Sequence, residues 1–276
     1  MEITGSYPVT VVALHCSGAT GSMWQVLSSH LGISARFLAP NLNGAAGGPL
    51  WSGERAFTLD DEMAPITDLI DAALHPVHLV GHSYGGAVAL ELARARADKV
   101  ASLTLYEPAS FYLLKPADSI EYAEIQWLAK DVETMLARGD VRGAMRRFTN
   151  YWGGSGAWDS LAPEARSALM RWAPKATLDF HALLDRSTRV TAYEQLGLPM
   201  RIIVGEHAPA PTREVADILC SAMPHCQQVM LNGAGHLGPI THSADVAALI
   251  AAHIGAVART GLNRSASVTY ENGRAA

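Results

Sequence analysis

Short apolar runs alternate along the chain with segments whose apolar residues recur at helical spacing. Apolar runs without alternation indicate strands that are buried on both faces, as is typical of parallel sheets. The predicted strands are residues 10–14, 36–42, 77–80, 101–106, 200–204 and 228–231. The predicted helices between and after them are residues 22–31, 59–73, 86–97, 212–223 and 244–254. The pattern therefore predicts an α/β fold in which a mostly parallel sheet of about six strands carries helices on both faces.

The segment between the fourth and fifth predicted strands, residues 110–198, has helical patterns and no convincing strand. Its predicted helices are residues 119–137, 140–151, 163–172 and 176–185. Active sites in parallel sheets lie at the carboxyl ends of the strands, so a helical insertion beside that edge is suited to be a lid. We expect roughly two or three of its aromatic side chains to face the site and to form an apolar or aromatic substrate pocket.

The chain has 276 residues, enough for one large domain or for one domain with an insertion. We expect residues 1–109 and 199–258 to form the core, and residues 110–198 to form a helical cap. Residues 259–276 are polar and lack periodicity, so we expect them to be a loosely ordered tail.

The apolar run at residues 77–80 leads directly into Gly81-His82-Ser83-Tyr84-Gly85 and then into a helical pattern. A strand, a tight turn and a helix in this order form a nucleophile elbow, in which a serine is held in a strained conformation at the end of the sheet. The two glycines leave room for the strand and the helix to approach each other. Ser83 is therefore the candidate nucleophile, with an ordinary glycine-rich turn as the alternative.

A serine hydroxyl needs a base within hydrogen-bonding reach before it becomes a good nucleophile. Among the 11 histidines, His236 lies in a loop after the last predicted strand, and this loop opens at the same edge of the sheet as Ser83. We therefore expect His236 to be the base, with a structural loop histidine as the alternative. His82 is expected to pack or to form a hydrogen bond beside the serine. Since no histidine or cysteine has metal-ligand spacing, we expect no metal.

Acyl transfer also needs hydrogen-bond donors that point at the developing oxyanion. The residue after the nucleophile, Tyr84, can supply one backbone N–H. The loop after the first strand can supply the second, and Ser17 is the candidate there. Gly18 and Gly21 in the same loop could instead serve only to turn the chain into the following helix. Cys16 is expected to be a small buried side chain.

These motifs resemble those of the α/β-hydrolase superfamily. The resemblance covers about residues 9–254 and rests on three segments, His15-Cys16-Ser17-Gly18, Gly81-His82-Ser83-Tyr84-Gly85-Gly86 and Gly233-Ala234-Gly235-His236. It implies an α/β-hydrolase fold with residues 110–198 in the place of the variable cap, and a serine hydrolase for which we expect no cofactor. The N-terminal strand pair common in the superfamily is missing here or reduced to residues 1–8.

The sequence departs from the superfamily pattern at the acid that would complete the triad. The resemblance implies a Gly-x-x-Asp pattern after the strand at residues 200–204, but Ala208 stands where the aspartate would be. Glu107, at the end of the strand after the nucleophile helix, occupies an alternative acid position of some members and is the preferred candidate. Two alternatives for the acid stay open: Glu206, two residues before the usual position, or no acid at all. Glu107 could also serve only to cap or order the lid entrance. The acid would orient the histidine and stabilise its charged form.

The net charge of −5 and the scattered Lys and Arg residues give no basic surface for nucleic acid. Three cysteines, Cys16, Cys220 and Cys226, form no C-x-x-C motif and no paired framework, which indicates a reducing compartment. The first residues lack a secretory signal, and no apolar run reaches the ~18 residues that a membrane span needs. We therefore expect a cytoplasmic protein with a small-molecule substrate and without membrane or nucleic-acid partners. The sequence gives no indication of oligomeric state.

The preferred hypothesis is a serine hydrolase that cleaves a small, partly apolar ester, or a related carbonyl compound, through an acyl-enzyme on Ser83. The same residues could serve a carbon–carbon bond hydrolase or a haloperoxidase-like perhydrolase. A lyase or synthase that uses the triad without water, and a ligand-binding protein without efficient chemistry, are further alternatives. Ser83 argues against a dehalogenase or epoxide hydrolase, which carry a carboxylate there, and the absence of G-x-G-x-x-G after the first strand argues against a dinucleotide enzyme.

Overall fold

The computed structural model describes residues 9–31, 35–117 and 119–272, with side chains described up to residue 260. Its strands are β1 (Val9–Leu14), β2 (Ala35–Leu38), β3 (Val77–His82), β4 (Val100–Tyr106), β5 (Met200–His207) and β6 (Cys226–Gly235). Within the described residues they form a six-stranded sheet in the order β2-β1-β3-β4-β5-β6, and every neighbouring pair is parallel. The predicted α/β fold is confirmed.

Helices cover both faces of this sheet. The helices of the core are α1 (Gln25–Leu31), α2 (Leu59–Asp71), α3 (Tyr84–Ala95), α8 (Ala210–Ala222), α9 (Gly238–Thr241) and α10 (Ser243–Asn272). Alternate residues of β1 point to opposite faces, because successive strand side chains alternate. Val11 and Ala13 join the apolar cluster that includes residues of α1 and α10, whereas Val12 and Leu14 join the cluster of α2, α3 and α8.

The insertion between β4 and β5 is helical, as predicted, and consists of α4 (Ile120–Ala137), α5 (Val141–Gly153), α6 (Ala157–Ser160) and α7 (Pro163–Asp185). The two helices predicted over residues 163–172 and 176–185 are wrong, since α7 is continuous across Pro174. A proline inside a helix removes one hydrogen bond and crowds the preceding turn. Ala173 and Ala176, on either side of it, are fully buried, and packing on both sides of the proline offsets this cost.

Two other boundaries differ from the predicted ones. Strand β2 ends at Leu38, not at residue 42, because Pro40 has no N–H to donate to a neighbouring strand. Helix α10 runs to Asn272, past residue 254, so the backbone of residues 259–272 is helical where we expected a loose tail. The expectation for residues 1–8 lies outside the described residues. In the described part of the chain, no helix has both the length and the apolar character needed to cross a bilayer.

The structure corrects the expectation that the cysteines are unpaired. Cys220 in α8 and Cys226 at the start of β6 form a disulfide, with their Cα atoms 5.1 Å apart. The short connection between helix and strand brings the two residues within the range that a disulfide requires. Their spacing is not a recognisable motif, so the pair could not be predicted from the sequence. The argument from unpaired cysteines for a reducing compartment therefore no longer holds.

Candidate active site

Ser83 lies in the turn between β3 and α3, with backbone angles φ 53° and ψ −116°. A residue other than glycine persists at positive φ only when its surroundings hold it there. The Ser83 N–H donates to the Tyr106 carbonyl at 3.0 Å, and the Ser83 carbonyl accepts from the amides of Ala87 and Ala109, each at 3.0 Å. These bonds fix the strained turn to both the helix and the next strand, so the hydroxyl has a defined position at the end of the sheet.

The glycines beside the serine are required by close backbone contacts. A Cβ atom at Gly85 would lie 2.4 Å from the carbonyl oxygen of His15, and one at Gly81 would lie 2.4 Å from that of Gly85. No side chain fits at such distances, since real Cβ atoms do not approach backbone atoms so closely. The glycines therefore allow α3 to begin directly against the ends of β1 and β3.

His236 follows β6 and lies beside Ser83, with His236 Nε2 2.9 Å from Ser83 Oγ. Two side chains of the core hold the backbone around His236. The Tyr106 hydroxyl donates to the Gly235 carbonyl at 2.7 Å, and His82 Nε2 lies 2.8 Å from the His236 carbonyl. Burial and the neighbouring His236 lower the pKa of His82 well below its ordinary value, so His82 is neutral and donates this bond. The indole ring of Trp152 lies against the other side, with its centroid 4.5 Å from that of the His236 ring.

Glu107 lies on the far side of His236, and its Oε2 is 2.7 Å from His236 Nδ1. The carboxylate is fully buried and also accepts from the Gly205 amide at 2.9 Å and from the Thr212 hydroxyl at 3.1 Å. Glu206 is exposed, and its carboxylate accepts from the Gly233 amide at 2.7 Å. Of the two carboxylates considered from the sequence, the structure brings Glu107 to the histidine.

The two candidate oxyanion donors, Ser17 and Tyr84, line the same cavity as Ser83 and His236. The loop that carries Ser17 is anchored by His15, whose Nδ1 lies 2.8 Å from the Cys16 carbonyl and whose Nε2 accepts from the Leu42 amide at 2.9 Å. Cys16 is buried, and burial raises the pKa of its thiol to about 12, so it is a protonated thiol and not a nucleophile.

The cavity in front of Ser83 has a volume of about 330 Å³ and is lined by residues of the loop that carries Ser17, of α5 and α7, and of the loop that carries His236. Its walls are mainly apolar. Four aromatic residues of the insertion line it, where we expected two or three: Phe111, Phe148, Trp152 and Phe180. Thr149 and Asp179 are the buried polar residues that the insertion contributes to the lining. The site therefore suits a small substrate with an apolar portion.

Sequence reasoning missed several residues that support this site. Thr212 and His15 carry no motif that marks them, and their roles depend on which hydrogen-bonding groups the fold brings near. Lys175 and Asp179 are four residues apart, a spacing typical of an ion pair on a helix, but the predicted break between residues 172 and 176 hid this signal. Both are buried at the base of the cap, where burial raises the pKa of the Asp179 carboxyl to about 6.

Among the described residues, no group of three or more His, Cys, Asp or Glu side chains is placed to hold a metal ion. The site brings together a serine hydroxyl, an imidazole and, behind the imidazole, a buried carboxylate. Together they can form and break an ester bond on the serine.

Comparison with known families agrees with the fold and the motifs. A model of the alpha/beta hydrolase family matches residues 11–249, most of the chain. The chain belongs to this family, whose members act on small-molecule substrates, and the prediction of an α/β-hydrolase enzyme is confirmed.

Individual relatives are more distant. The chain is similar to the lipase LipV of Mycobacterium tuberculosis, with 39% identity over 105 residues that make up 38% of this chain and 39% of the lipase. The match thus spans well under half of that relative. It is also similar to the pimeloyl-[acyl-carrier protein] methyl ester esterase of Aromatoleum aromaticum, with 27% identity over 250 residues, 87% of this chain and 96% of that protein. A hydrolase structure from Pseudomonas aeruginosa has a TM-score of 0.74 at 18% identity over 91% of each chain, which shows the shared fold.

Proposed function

We propose that the protein is a serine hydrolase that cleaves a small, partly apolar carboxylic ester through an acyl-enzyme on Ser83. The observation that carries this proposal is the continuous hydrogen-bonded line from Ser83 Oγ through both nitrogens of His236 to Glu107 Oε2, with distances of 2.9 and 2.7 Å. The line ends at an apolar cavity. Two relatives, a lipase and a methyl ester esterase by name, support ester chemistry.

In the first half of the reaction, Ser83 Oγ attacks the ester carbonyl carbon while His236 Nε2 takes the hydroxyl proton. Glu107, hydrogen-bonded to Nδ1, stabilises the imidazolium that forms. The carbonyl oxygen becomes an oxyanion that accepts from the backbone amides of Ser17 and Tyr84. When the intermediate collapses, the carbon–oxygen bond to the alcohol breaks, and His236 returns its proton to the departing oxygen.

In the second half, water takes the place of the alcohol. His236 accepts a proton from this water as the water oxygen attacks the acyl carbon, and the same amides hold the second oxyanion. Collapse breaks the bond to Ser83 Oγ, the proton returns to the serine, and the free acid leaves.

The cavity limits the acyl group. Its volume of about 330 Å³ is at the small end of ligand pockets, and its aromatic walls favour a short apolar chain over a charged one. The proposed substrates are therefore esters of short to medium carboxylic acids, with the alcohol directed toward the mouth of the cavity.

The test is the hydrolysis of p-nitrophenyl acetate, butyrate, hexanoate and dodecanoate by purified protein. We expect the butyrate and hexanoate to be the best substrates, and Ser83→Ala to reduce kcat by about 10,000-fold or more. Ser160→Ala, which changes an exposed serine on α6, is the matched control and should retain wild-type turnover. Equal turnover by Ser83→Ala and the wild type would overturn the proposal.

A further inference from the structure

Both candidate oxyanion donors are tied, through their side chains, to one buried group of charges between the cap and the core. We call this group the Lys175 cluster and define it as Ser17, Glu62, Tyr84, Lys175 and Asp179. Lys175 and Asp179 belong to α7 of the cap, Glu62 to α2 of the core, and Tyr84 is the first residue of α3. Three elements that are distant in sequence therefore meet at this point.

The first connection runs from the cap to the loop that carries Ser17. The Ser17 hydroxyl donates to Asp179 Oδ2 at 2.5 Å. The other oxygen of this carboxylate, Oδ1, accepts from Lys175 Nζ. Because Gly18 follows Ser17 at a φ of +74°, the loop bends sharply here, and the bond to Asp179 restrains the peptide that carries the Ser17 amide.

The second connection runs from the same ammonium group to the nucleophile elbow. Lys175 Nζ donates to Glu62 Oε2 at 3.1 Å, and the Tyr84 hydroxyl donates to the same oxygen at 2.9 Å. Lys175 Nζ also lies 3.4 Å from the Tyr84 hydroxyl oxygen. The other oxygen of Glu62 accepts from the Asn43 amide at 2.7 Å, which fixes the carboxylate to the core.

The charges of the cluster depend on one another. Glu62, Lys175 and Asp179 are exposed by 0%, 5% and 4%, so removal of the ammonium group would leave two buried carboxylates without a counter-ion. Burial alone would lower the pKa of Lys175, but the negative charges of Asp179 and Glu62 raise it above its ordinary value. The ammonium group thus holds both connections in place.

The geometry points to a role for the Lys175 cluster in positioning the oxyanion hole: it holds the Ser17 and Tyr84 amides so that both point at one oxygen atom. Lys175, Glu62 and Asp179 are positioning residues that act through Ser17 and Tyr84. It follows that the hole is complete only while α7 is docked on the core, so the cap contributes to catalysis as well as to the pocket. This inference rests on the proposed function.

A second, partly buried ion-pair group between cap and core provides the matched control. Arg186, at the end of α7, pairs with the fully buried Glu91 of α3 and with Asp60 of α2. Glu91 also accepts from Tyr193. This pair joins cap to core as the Lys175 cluster does, but Arg186 and Glu91 form no hydrogen bond to Ser17 or Tyr84 among the described residues. Loss of the Arg186 charge therefore reports the cost of weaker cap docking alone.

The most informative variants keep the backbone amides of Ser17 and Tyr84 and remove only the side-chain interactions that hold them. Ser17→Ala removes the bond to Asp179, Tyr84→Phe removes the bond to Glu62, and Lys175→Met removes the common charge at similar side-chain length. Each is compared with Arg186→Met. The readouts are kcat and KM for p-nitrophenyl butyrate, and the Ki values of hexan-2-one and its 1,1,1-trifluoro analogue. The trifluoro ketone adds to Ser83 Oγ: a carbon–oxygen bond forms, the serine proton moves to His236, and the ketone oxygen becomes an oxyanion.

Removal of one whole oxyanion donor costs about 100- to 1,000-fold in kcat, so displacement of two should cost about 10- to 100-fold in Lys175→Met. The Ki of the trifluoro ketone should rise by a similar factor. KM and the Ki of hexan-2-one should stay within about twofold, because they report ground-state binding. Ser17→Ala and Tyr84→Phe should each show a smaller loss of the same kind. Ser17→Ala combined with Asp179→Asn should be no worse than Asp179→Asn alone, since both break one connection.

Arg186→Met should lower the melting temperature and leave kcat and the trifluoro ketone Ki near wild type. The inference is overturned if Ser17→Ala and Lys175→Met keep the wild-type Ki for the trifluoro ketone, or if Arg186→Met raises it as much. If Lys175→Met does not fold, the inference is tested by the same measurements on Ser17→Ala, Tyr84→Phe and Asp179→Asn. A wild-type protein that neither hydrolyses the ester nor binds the trifluoro ketone more tightly than hexan-2-one refutes the proposed function instead.

Discussion

Exchange of the Glu107 carboxylate for an amide of the same shape tests the triad most directly. In Glu107→Gln the fully buried side chain keeps its volume, so the fold should survive. The Gly205 amide, 2.9 Å from Oε1, can only donate, and the amide oxygen of the glutamine must therefore take this position. The glutamine NH2 group then faces His236 Nδ1. The Thr212 hydroxyl, which donates to Glu107 in the wild type, can instead direct its proton to the Pro209 carbonyl 3.0 Å away and accept from that NH2 group.

The consequence concerns the tautomer of His236. An NH2 donor at Nδ1 requires that nitrogen to be an acceptor, so the ring proton moves to Nε2. A protonated Nε2 cannot accept the proton of Ser83 Oγ, although the two atoms lie 2.9 Å apart. Loss of the correct tautomer in a serine triad lowers kcat by about 1,000- to 10,000-fold. At about 1.4 kcal/mol for each tenfold change, this is about 4–5.5 kcal/mol of transition-state stabilisation.

The assay is kcat/KM for p-nitrophenyl butyrate, measured together with thermal unfolding to show that each variant is folded. Glu206→Gln is the matched control, since its carboxylate is exposed and touches the Gly233 amide instead of the histidine. We expect it to stay within about twofold of the wild type, as a surface change does. A large loss in Glu206→Gln with wild-type activity in Glu107→Gln would refute the assignment of the acid.

Two further predictions concern the fold. Gly85→Ala places a Cβ atom 2.4 Å from the His15 carbonyl oxygen, so it should lower the free energy of unfolding by about 3 kcal/mol in urea titrations. Gly197→Ala, where a Cβ atom would meet nothing within 4 Å, should leave the free energy unchanged or raise it by up to about 1 kcal/mol, and equal effects of the two would contradict the packing argument. Cys220→Ser opens the disulfide across a separation of six residues and should cost about 2 kcal/mol by loop entropy. A reductant should destabilise the wild type by the same amount and should leave Cys220→Ser unchanged. Free thiols at all three cysteines of the unreduced protein would contradict the pairing.

Local patterns were sufficient for the fold because its main features repeat along the chain. Unbroken apolar runs and helical spacing predicted the parallel sheet, and the glycines around Ser83 marked the turn, since both signals lie within a few residues. The exceptions arose where distant packing overrides a local preference. Pro174 lies inside a continuous helix, and Cys220 and Cys226 meet only because a helix and a strand are placed side by side.

The sequence by itself determined the class of fold, the nucleophile elbow and the loop that carries His236. It favoured Glu107 but left Glu206 open, because both follow predicted strands that end at the same edge of the sheet. The tertiary structure decided which carboxylate lies at His236: Glu107 adopts a φ of 41° after β4 and turns inward, whereas β5 continues past Glu206 and leaves its side chain exposed. The Lys175 cluster could not be predicted from the sequence either. A buried charge is stable only beside partners from other elements, and those partners are brought together by the fold alone.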